Sequence, residues 1–229
     1  YLLRGFKKGK WVNADTECES GCGIVPFSYQ EHIYMHTLQW AIGLELFLLS
    51  QDPWRILLST DHPNGGSFMS YPKLIRLLMD RDFREEEMKK VNQKARDKTQ
   101  LRDMKREYTL NEIAIITRAG PARALNLKNK GHLGAGADAD ITIYDEQEDK
   151  EAMFNAPRYV IKSGQPIISN HEFTGDHIGK VLHTTPEFDA DIESIVQPFF
   201  EDYYSIEFAN YAVSDHYLHE HEIIPPVKS

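Results

Sequence analysis

The chain has 229 residues, 41% hydrophobic and 27% charged, with 26 Lys and Arg against 35 Asp and Glu and a formal net charge of -9. Such a balance fits one large globular domain or two small ones, and it counts against nucleic acid or an anionic membrane as the main partner. Two cysteines, Cys18 and Cys22, make neither a disulfide framework nor a four-cysteine metal site, which points to a reducing, cytoplasmic setting.

In chain order, the first eleven residues are basic and punctuated by glycine, a loop or hairpin pattern with Lys7, Lys8 and Lys10. No signal peptide opens the chain, and its first residue is Tyr1, which points to a fragment or a trimmed product. Cys18 and Cys22 stand four apart, wider than a redox Cys-x-x-Cys pair, and are expected to be inert or merely accessible thiols. Residues 37–50 carry Leu38, Ala41, Ile42, Leu44, Leu46, Phe47, Leu48 and Leu49. That pattern predicts a helix apolar almost all round and therefore buried. It is too short and too polar to span a bilayer. His32 and His36 precede it at helical spacing, but no carboxylate pattern completes a metal site, so packing or loop histidines are expected.

Ile56-Leu57-Leu58 has the length and bulk of a buried parallel strand. It runs into Ser59, Thr60, Asp61 and His62, and Pro63 with Gly65-Gly66 then breaks it. Chemistry sits at the C-terminal tips of such strands in barrel and doubly wound α/β proteins. Asp61 is therefore the first candidate for a catalytic residue. Turn formation is the plainer role for the same residues, since Asp, Asn, Pro and Gly build turns everywhere.

A helix is predicted over residues 71–81, with Pro72 in its first turn. Residues 83–107 are dense in both signs of charge, with Met88, Val91 and Ala95 as a thin apolar stripe, and predict a solvated helical hairpin. Thr109-Leu110-Asn111-Glu112 is a capping box. Its helix is expected to run to about Arg118; Gly120-Pro121 is expected to stop it and to start a short helix over residues 122–125. Gly131, Gly134 and Gly136 then space a loop into a strand over residues 140–144. They enter a strand instead of a helix, unlike a phosphate loop. Residues 159–168 predict a hairpin turning at Ser163-Gly164, residues 179–183 one more strand, and residues 188–204 a helix before a Tyr- and His-rich tail. The expected domains are 1–125, 126–185 (a small β module) and 186–229.

A buried strand with an aspartate at its tip, then helices, then a compact β module, resembles the C-terminal part of the amidohydrolase superfamily. Gly131-His132-Leu133-Gly134-Ala135-Gly136-Ala137-Asp138-Ala139-Asp140-Ile141 looks like the return into that superfamily's β-sandwich, and residues 160–168 like its closing hairpin. Thr60-Asp61-His62-Pro63 looks like the end of its eighth barrel strand. Within the superfamily, Gly23-Ile24-Val25-Pro26-Phe27, Gln39-Trp40-Ala41-Ile42-Gly43-Leu44-Glu45-Leu46-Phe47, Thr60-Asp61-His62-Pro63-Asn64-Gly65 and the Tyr203-Tyr204-Ser205 tail resemble one family. It is that of the A subunits of formylmethanofuran dehydrogenase and of the formyltransferase/hydrolase complex.

The resemblance implies an α/β fold: the C-terminal part of a (β/α) TIM barrel, a small β-sandwich module and a helical tail. It implies a metal-dependent amidohydrolase that forms or hydrolyses an N-formyl amide, formylmethanofuran to or from formate, in one-carbon metabolism. A dinuclear zinc site would make hydroxide available near neutrality, with Asp61 both metal ligand and proton acceptor. His62 and Asn64 would contact substrate. The family's His-x-His pair, carboxylated lysine and two further histidines have no counterpart upstream of Asp61. His219-Glu220-His221 is a His-x-His in letters only, placed in the tail. Most zinc ligands would then lie outside this chain, which alone would be inactive, and the partners would be other subunits of the complex. Two other readings stay open: an amidohydrolase acting on cyclic amides, as hydantoinases and dihydroorotases do, and a non-catalytic piece that docks onto other subunits.

Overall fold

The computed structural model describes residues 28–62, 65–185, 187–203, 207–211 and 220–224. Cys18, Cys22, the 23–27 motif, Asn64 and His219 lie outside the described residues. The chain divides into two units, Pro26–His177 and a second containing Ile178–Ser229.

In the first unit, helix α1 spans Tyr34–Leu49. It is not buried all round, as its composition suggested. Thr37, Ala41, Leu44 and Leu48 are buried, while Met35, Ile42, Leu46 and Leu49 are exposed. The spacing 37/41/44/48 places one stripe on one helix face; among the described residues nothing covers the other. Buried Thr37 is satisfied on both sides of its hydroxyl. Its Oγ1 donates to the Glu31 carbonyl (2.7 Å) and accepts from the Asn92 N–H (3.1 Å).

Helix α2 (Tyr71–Met79) has Pro72 in its first turn, as expected, and buries Ile75, Leu77 and Leu78. Asp80 caps helix α3 (Arg81–Lys90) by accepting from the Phe83 N–H at 2.8 Å. The solvated hairpin expected here is more deeply seated than its charge suggests. Met88, Val91 and Ala95, the last on short helix α4 (Gln93–Arg96), are buried. Arg84 is 1% exposed. Its guanidinium donates to the Leu77 carbonyl (2.7 Å) and to those of Met104 and Arg106 (both 3.1 Å), tying the 104–106 segment to α2. Burial pushes its pKa down.

The Thr109–Glu112 capping box is formed, with Thr109 Oγ1 accepting from the Glu112 N–H at 3.2 Å and Glu112 Oε2 accepting from the Thr109 N–H at 2.8 Å. Helix α5 (Leu110–Ala114) does not end before Gly120-Pro121. It passes through a π-helical turn, Ile115–Ala119, straight into α6 (Gly120–Ala124). The wider turn explains how a proline is tolerated. The Gly120 N–H bonds the Ile115 carbonyl, and Pro121 has no N–H to offer. The Ile116 carbonyl is left to accept from outside the helix, and the Leu58 N–H takes it at 3.0 Å.

The strand expected at residues 56–58 is not formed. Ile56 is extended (φ -136°, ψ 137°), yet no strand pairs with the segment among the described residues. Its backbone partners are the Ile116 carbonyl and the Tyr71 hydroxyl, which donates to the Leu58 carbonyl at 3.2 Å. Only Leu58 is buried; Leu57 is 40% exposed. A barrel strand needs strands on both sides to take its ladder bonds, and the described residues supply none.

The β module is one four-stranded antiparallel sheet in chain order: β1 (Ile141–Tyr144), β2 (Pro157–Lys162), β3 (Gln165–Ser169) and β4 (Glu172–Phe173). It is a single layer among the described residues, with β1 and β4 as edges. Helix α7 (Lys150–Asn155) joins β1 to β2, and Asp149 at its start pairs with Arg76 of α2 at 2.6 Å. The β2–β3 turn forms at Ser163-Gly164, both with positive φ (50° and 79°), the twist a two-residue hairpin requires. Asp140 secures it, accepting from the Ser163 N–H (2.9 Å) and from Lys162 and Lys130. Burial alone would raise the Asp140 pKa, but these bonds hold it well below the usual carboxylate range.

In the second unit, β5 (Val181–His183) corrects the expectation that residues 179–183 extend the β module. It pairs instead, in parallel, with β6 (His221–Ile223) of the tail. Helix α8 (Ile192–Tyr203) forms where a helix was expected. No described helix is long and apolar enough to cross a membrane.

Candidate functional site

The site is built on residues 58–62 and 65–68. Its base is pinned twice at Leu58, by the Ile116 carbonyl and the Tyr71 hydroxyl. The π turn packs closely against it: a Cβ added to Gly120 would lie 2.8 Å from Leu57 Cδ2 and 2.8 Å from the Ile115 carbonyl oxygen. Nearby, the Arg123 guanidinium lies over the Trp54 ring at 5.4 Å.

Asp61 stands where this segment leaves the core. It has φ 49°, a left-handed conformation that Asp tolerates better than most side chains. Two bonds hold the turn. The Asp61 N–H donates to Ser59 Oγ (3.2 Å), and the Asp61 carbonyl accepts from the Gly65 N–H (2.8 Å). A Cβ on Gly65 would meet the Thr60 carbonyl oxygen at 2.8 Å, Asp61 Cβ at 3.0 Å and Asp61 Oδ2 at 3.5 Å. The carboxylate therefore lies against bare backbone. Asp61 and His62 are both exposed.

His62 turns toward the short 3-10 helix Phe68–Ser70. Its Nδ1 accepts from the Phe68 N–H at 3.3 Å, and its ring meets the Phe68 ring edge-on, with centroids 4.5 Å apart and planes at 65°. Ser67 caps the turn by accepting from the Met69 N–H at 3.2 Å. Of the three residues expected at the site, Asp61 and His62 stand side by side and Asn64 lies outside the described residues.

Tyr71, Gly120, Phe68 and the carbonyl of Ile116 were not identified from sequence. Gly120 was visible only as a helix breaker, and nothing in the order of residues signals that a proline's missing N–H frees a carbonyl five positions earlier.

As a metal ligand Asp61 has suitable chemistry, an exposed carboxylate at a fixed place. The described residues do not go further: no group of three or more His, Cys, Asp or Glu among them could hold an ion. They fit as one contributor of a metal ligand and not as a metal centre. His36, considered with His32 at the outset, is engaged locally, its Nδ1 accepting from the Gln30 N–H at 3.0 Å.

Comparison with known proteins places the chain in a family. The sequence model of the amidohydrolase family matches residues 3–168. The A subunit of the formyltransferase/hydrolase complex Fhc of Methylorubrum extorquens is 42% identical over 212 residues, which is 93% of this chain and 38% of that protein. "Protein FwdA" of Methanocaldococcus jannaschii is 39% identical over 227 residues, 94% of this chain and 40% of that protein. The X-ray crystal structure of the formyltransferase/hydrolase complex FhcABCD from Methylorubrum extorquens, in complex with methylofuran, contains a chain that superposes with a TM-score of 0.73. It is 40% identical, and the match covers 88% of this chain and 38% of that one. The chain thus spans about two-fifths of the length of these relatives. With more than half of its residues matched, the chain belongs to the amidohydrolase family.

Proposed function

We propose that this chain is part of the A subunit of a metal-dependent hydrolase that forms or cleaves an N-formyl amide, formylmethanofuran to or from formate. The observation that carries the reading is the seating of Asp61: an exposed carboxylate in a left-handed turn, pressed against Gly65, at the end of a segment anchored in the core. The relatives' identity with a component of a formyltransferase/hydrolase complex supports the substrate class.

In this reading, a water oxygen bonds to the formyl carbon and Asp61 Oδ takes one of its protons. The C–N bond breaks, and Asp61 passes that proton to the leaving amine nitrogen. The other water proton leaves with the acid product. His62 and Asn64 contact substrate. Asp61 would also be one ligand of a dinuclear zinc centre, most of whose ligands would lie outside this chain, so the chain alone would be inactive. Other subunits of the complex are the partners, and the setting is cytoplasmic. The three-part division into a barrel portion (1–125), a sandwich module (126–185) and a tail (186–229) belongs to the same proposal, although the pairing of residues 181–183 with the tail counts against its second boundary. The change from helices to an antiparallel sheet supports its first boundary.

The test is formate release from formylmethanofuran by the full-length subunit in its complex, wild type beside Asp61→Asn, with metal content measured in both. Asn keeps the shape and cannot accept the proton, so the rate should fall about 10²–10⁴-fold. A variant that keeps its metals and turns over within a few-fold of wild type would reduce Asp61 to a turn residue.

A further inference from the structure

We propose that His62 acts through one defined atom: its Nε2–H donates a hydrogen bond to the formyl oxygen of the substrate as negative charge builds there. The inference rests on the reading of the Asp61 loop given above and adds the atom, the tautomer and the task.

A neutral imidazole carries one N–H, and a hydrogen bond made by one nitrogen sets where it sits. The Phe68 backbone N–H points at His62 Nδ1, 3.3 Å away. A backbone N–H can only donate, so Nδ1 must be the bare nitrogen and the proton sits on Nε2. The ring is held in this pose by the edge-on Phe68 contact at 4.5 Å and by the Ser67 cap that orders the turn behind it. Among the described residues nothing bonds Nε2, and His62 is exposed. The result is a fixed donor on the residue next to the proposed proton acceptor.

Hydrolysis of a formyl amide needs such a donor. When the water oxygen bonds to the carbonyl carbon, the C=O electron pair moves onto oxygen, and a donor already in place stabilises that charge more than it stabilises the neutral carbonyl. Asp61 moves the proton from water to the amine nitrogen. His62 keeps its own proton throughout and lends only a hydrogen bond, so the balance of the reaction is unchanged.

Two isosteric substitutions separate this task from support of the turn. In Asn the amide oxygen stands where Nδ1 stood and can still accept from the Phe68 N–H. In Gln the amide nitrogen stands near the place of Nε2 and can still donate to substrate. The experiment measures kcat and KM for formate release from formylmethanofuran by the full-length subunit in its complex. It compares His62→Gln with His62→Asn, with thermal stability and metal content alongside. The expected result is a kcat for His62→Asn lower by about 10²–10³-fold, the cost of losing one such donor. KM should change little, and His62→Gln should recover at least tenfold of the loss. Equal kcat values for the two variants, or His62→Asn the more active, would overturn the proposal and leave His62 as a brace for the 68–70 turn. Asp61→Asn is measured in parallel. If it loses rate while the His62 variants match each other, only the His62 assignment falls. If it turns over like wild type, the reading of the loop falls with it.

Discussion

Gly65 lies against Asp61 so closely that a methyl group on it would reach to 3.0 Å from Asp61 Cβ and 2.8 Å from the Thr60 carbonyl oxygen. The backbone atom of that pair cannot swing aside as a side-chain tip could. Gly65→Ala should therefore move Asp61 while leaving the distant core intact. Overpacking of this kind typically costs about 1–3 kcal/mol. Most of it should appear in the loop, as a fall in kcat of at least tenfold with a melting temperature within a few degrees of wild type. Unchanged kcat would show that the turn adapts without moving the carboxylate.

The π turn gives a second, paired prediction. Gly120→Ala would press a Cβ against the Ile115 carbonyl oxygen, 2.8 Å away, and against Leu57. It should destabilise by about 1–3 kcal/mol. Pro121→Ala removes a proline but supplies an N–H that can compete with Leu58 for the Ile116 carbonyl. Amide hydrogen exchange at Leu58 reads the competition directly. Faster exchange is expected in Pro121→Ala; equal protection in wild type and variant would mean that the helix does not reclaim the carbonyl.

Arg84 should be among the most sensitive positions for stability. Its guanidinium satisfies the carbonyls of Leu77, Met104 and Arg106 from a site only 1% exposed. A hydrogen bond to a charged group contributes about 1.5–3 kcal/mol, and orphaned carbonyls add a penalty. Arg84→Ala should cost at least about 3 kcal/mol. Arg84→Met, which keeps the stem, should cost less. Urea unfolding of both variants measures this, and an Ala variant within about 1 kcal/mol of wild type would contradict it.

Glu112 links stability to pH. Burial alone would raise its pKa, but the Thr109 N–H, Arg106 and the Thr109 hydroxyl together lower it from 4.5. A depressed carboxylate contributes stability that is complete above the unfolded value, near 4.5, and is lost as pH falls through the lower folded value. The stability gap between wild type and Glu112→Gln should therefore be widest above pH 5 and narrow toward pH 3. Urea midpoints across that range test it; a gap that stays constant would mean the bonds to Arg106 and Thr109 do not depend on ionisation.

What could be read from sequence was what is set within a few residues. The capping box, Pro72 in its first turn and the Ser163-Gly164 hairpin each depend on neighbours along the chain, and each appears where local chemistry places it. What could not be read depends on distant partners. The composition of α1 gives its apolarity but not which side meets α2 and α4. The strand at residues 181–183 was legible as a strand, while its partner forty residues on was not. Arg84 looks like any charged residue of a charged helix until the three carbonyls around it are known. At the candidate site, the sequence offers Asp61 and His62 as a polar pair after an apolar run, and the structure leaves both exposed. The glycine that shapes one and the amide that orients the other were not.

The single hydrogen bond from Leu58 to Ile116 also sets a count. Neighbouring residues of the segment face opposite ways at Leu57 (exposed) and Leu58 (buried), so sliding it by one position would exchange them. A slip would turn exposed Leu57 inward, pull Leu58 out, and carry Asp61 away from the turn that the Gly65 N–H closes. Which residue stands at the exposed turn is thus decided three residues before it, by a helix that kept one carbonyl to spare.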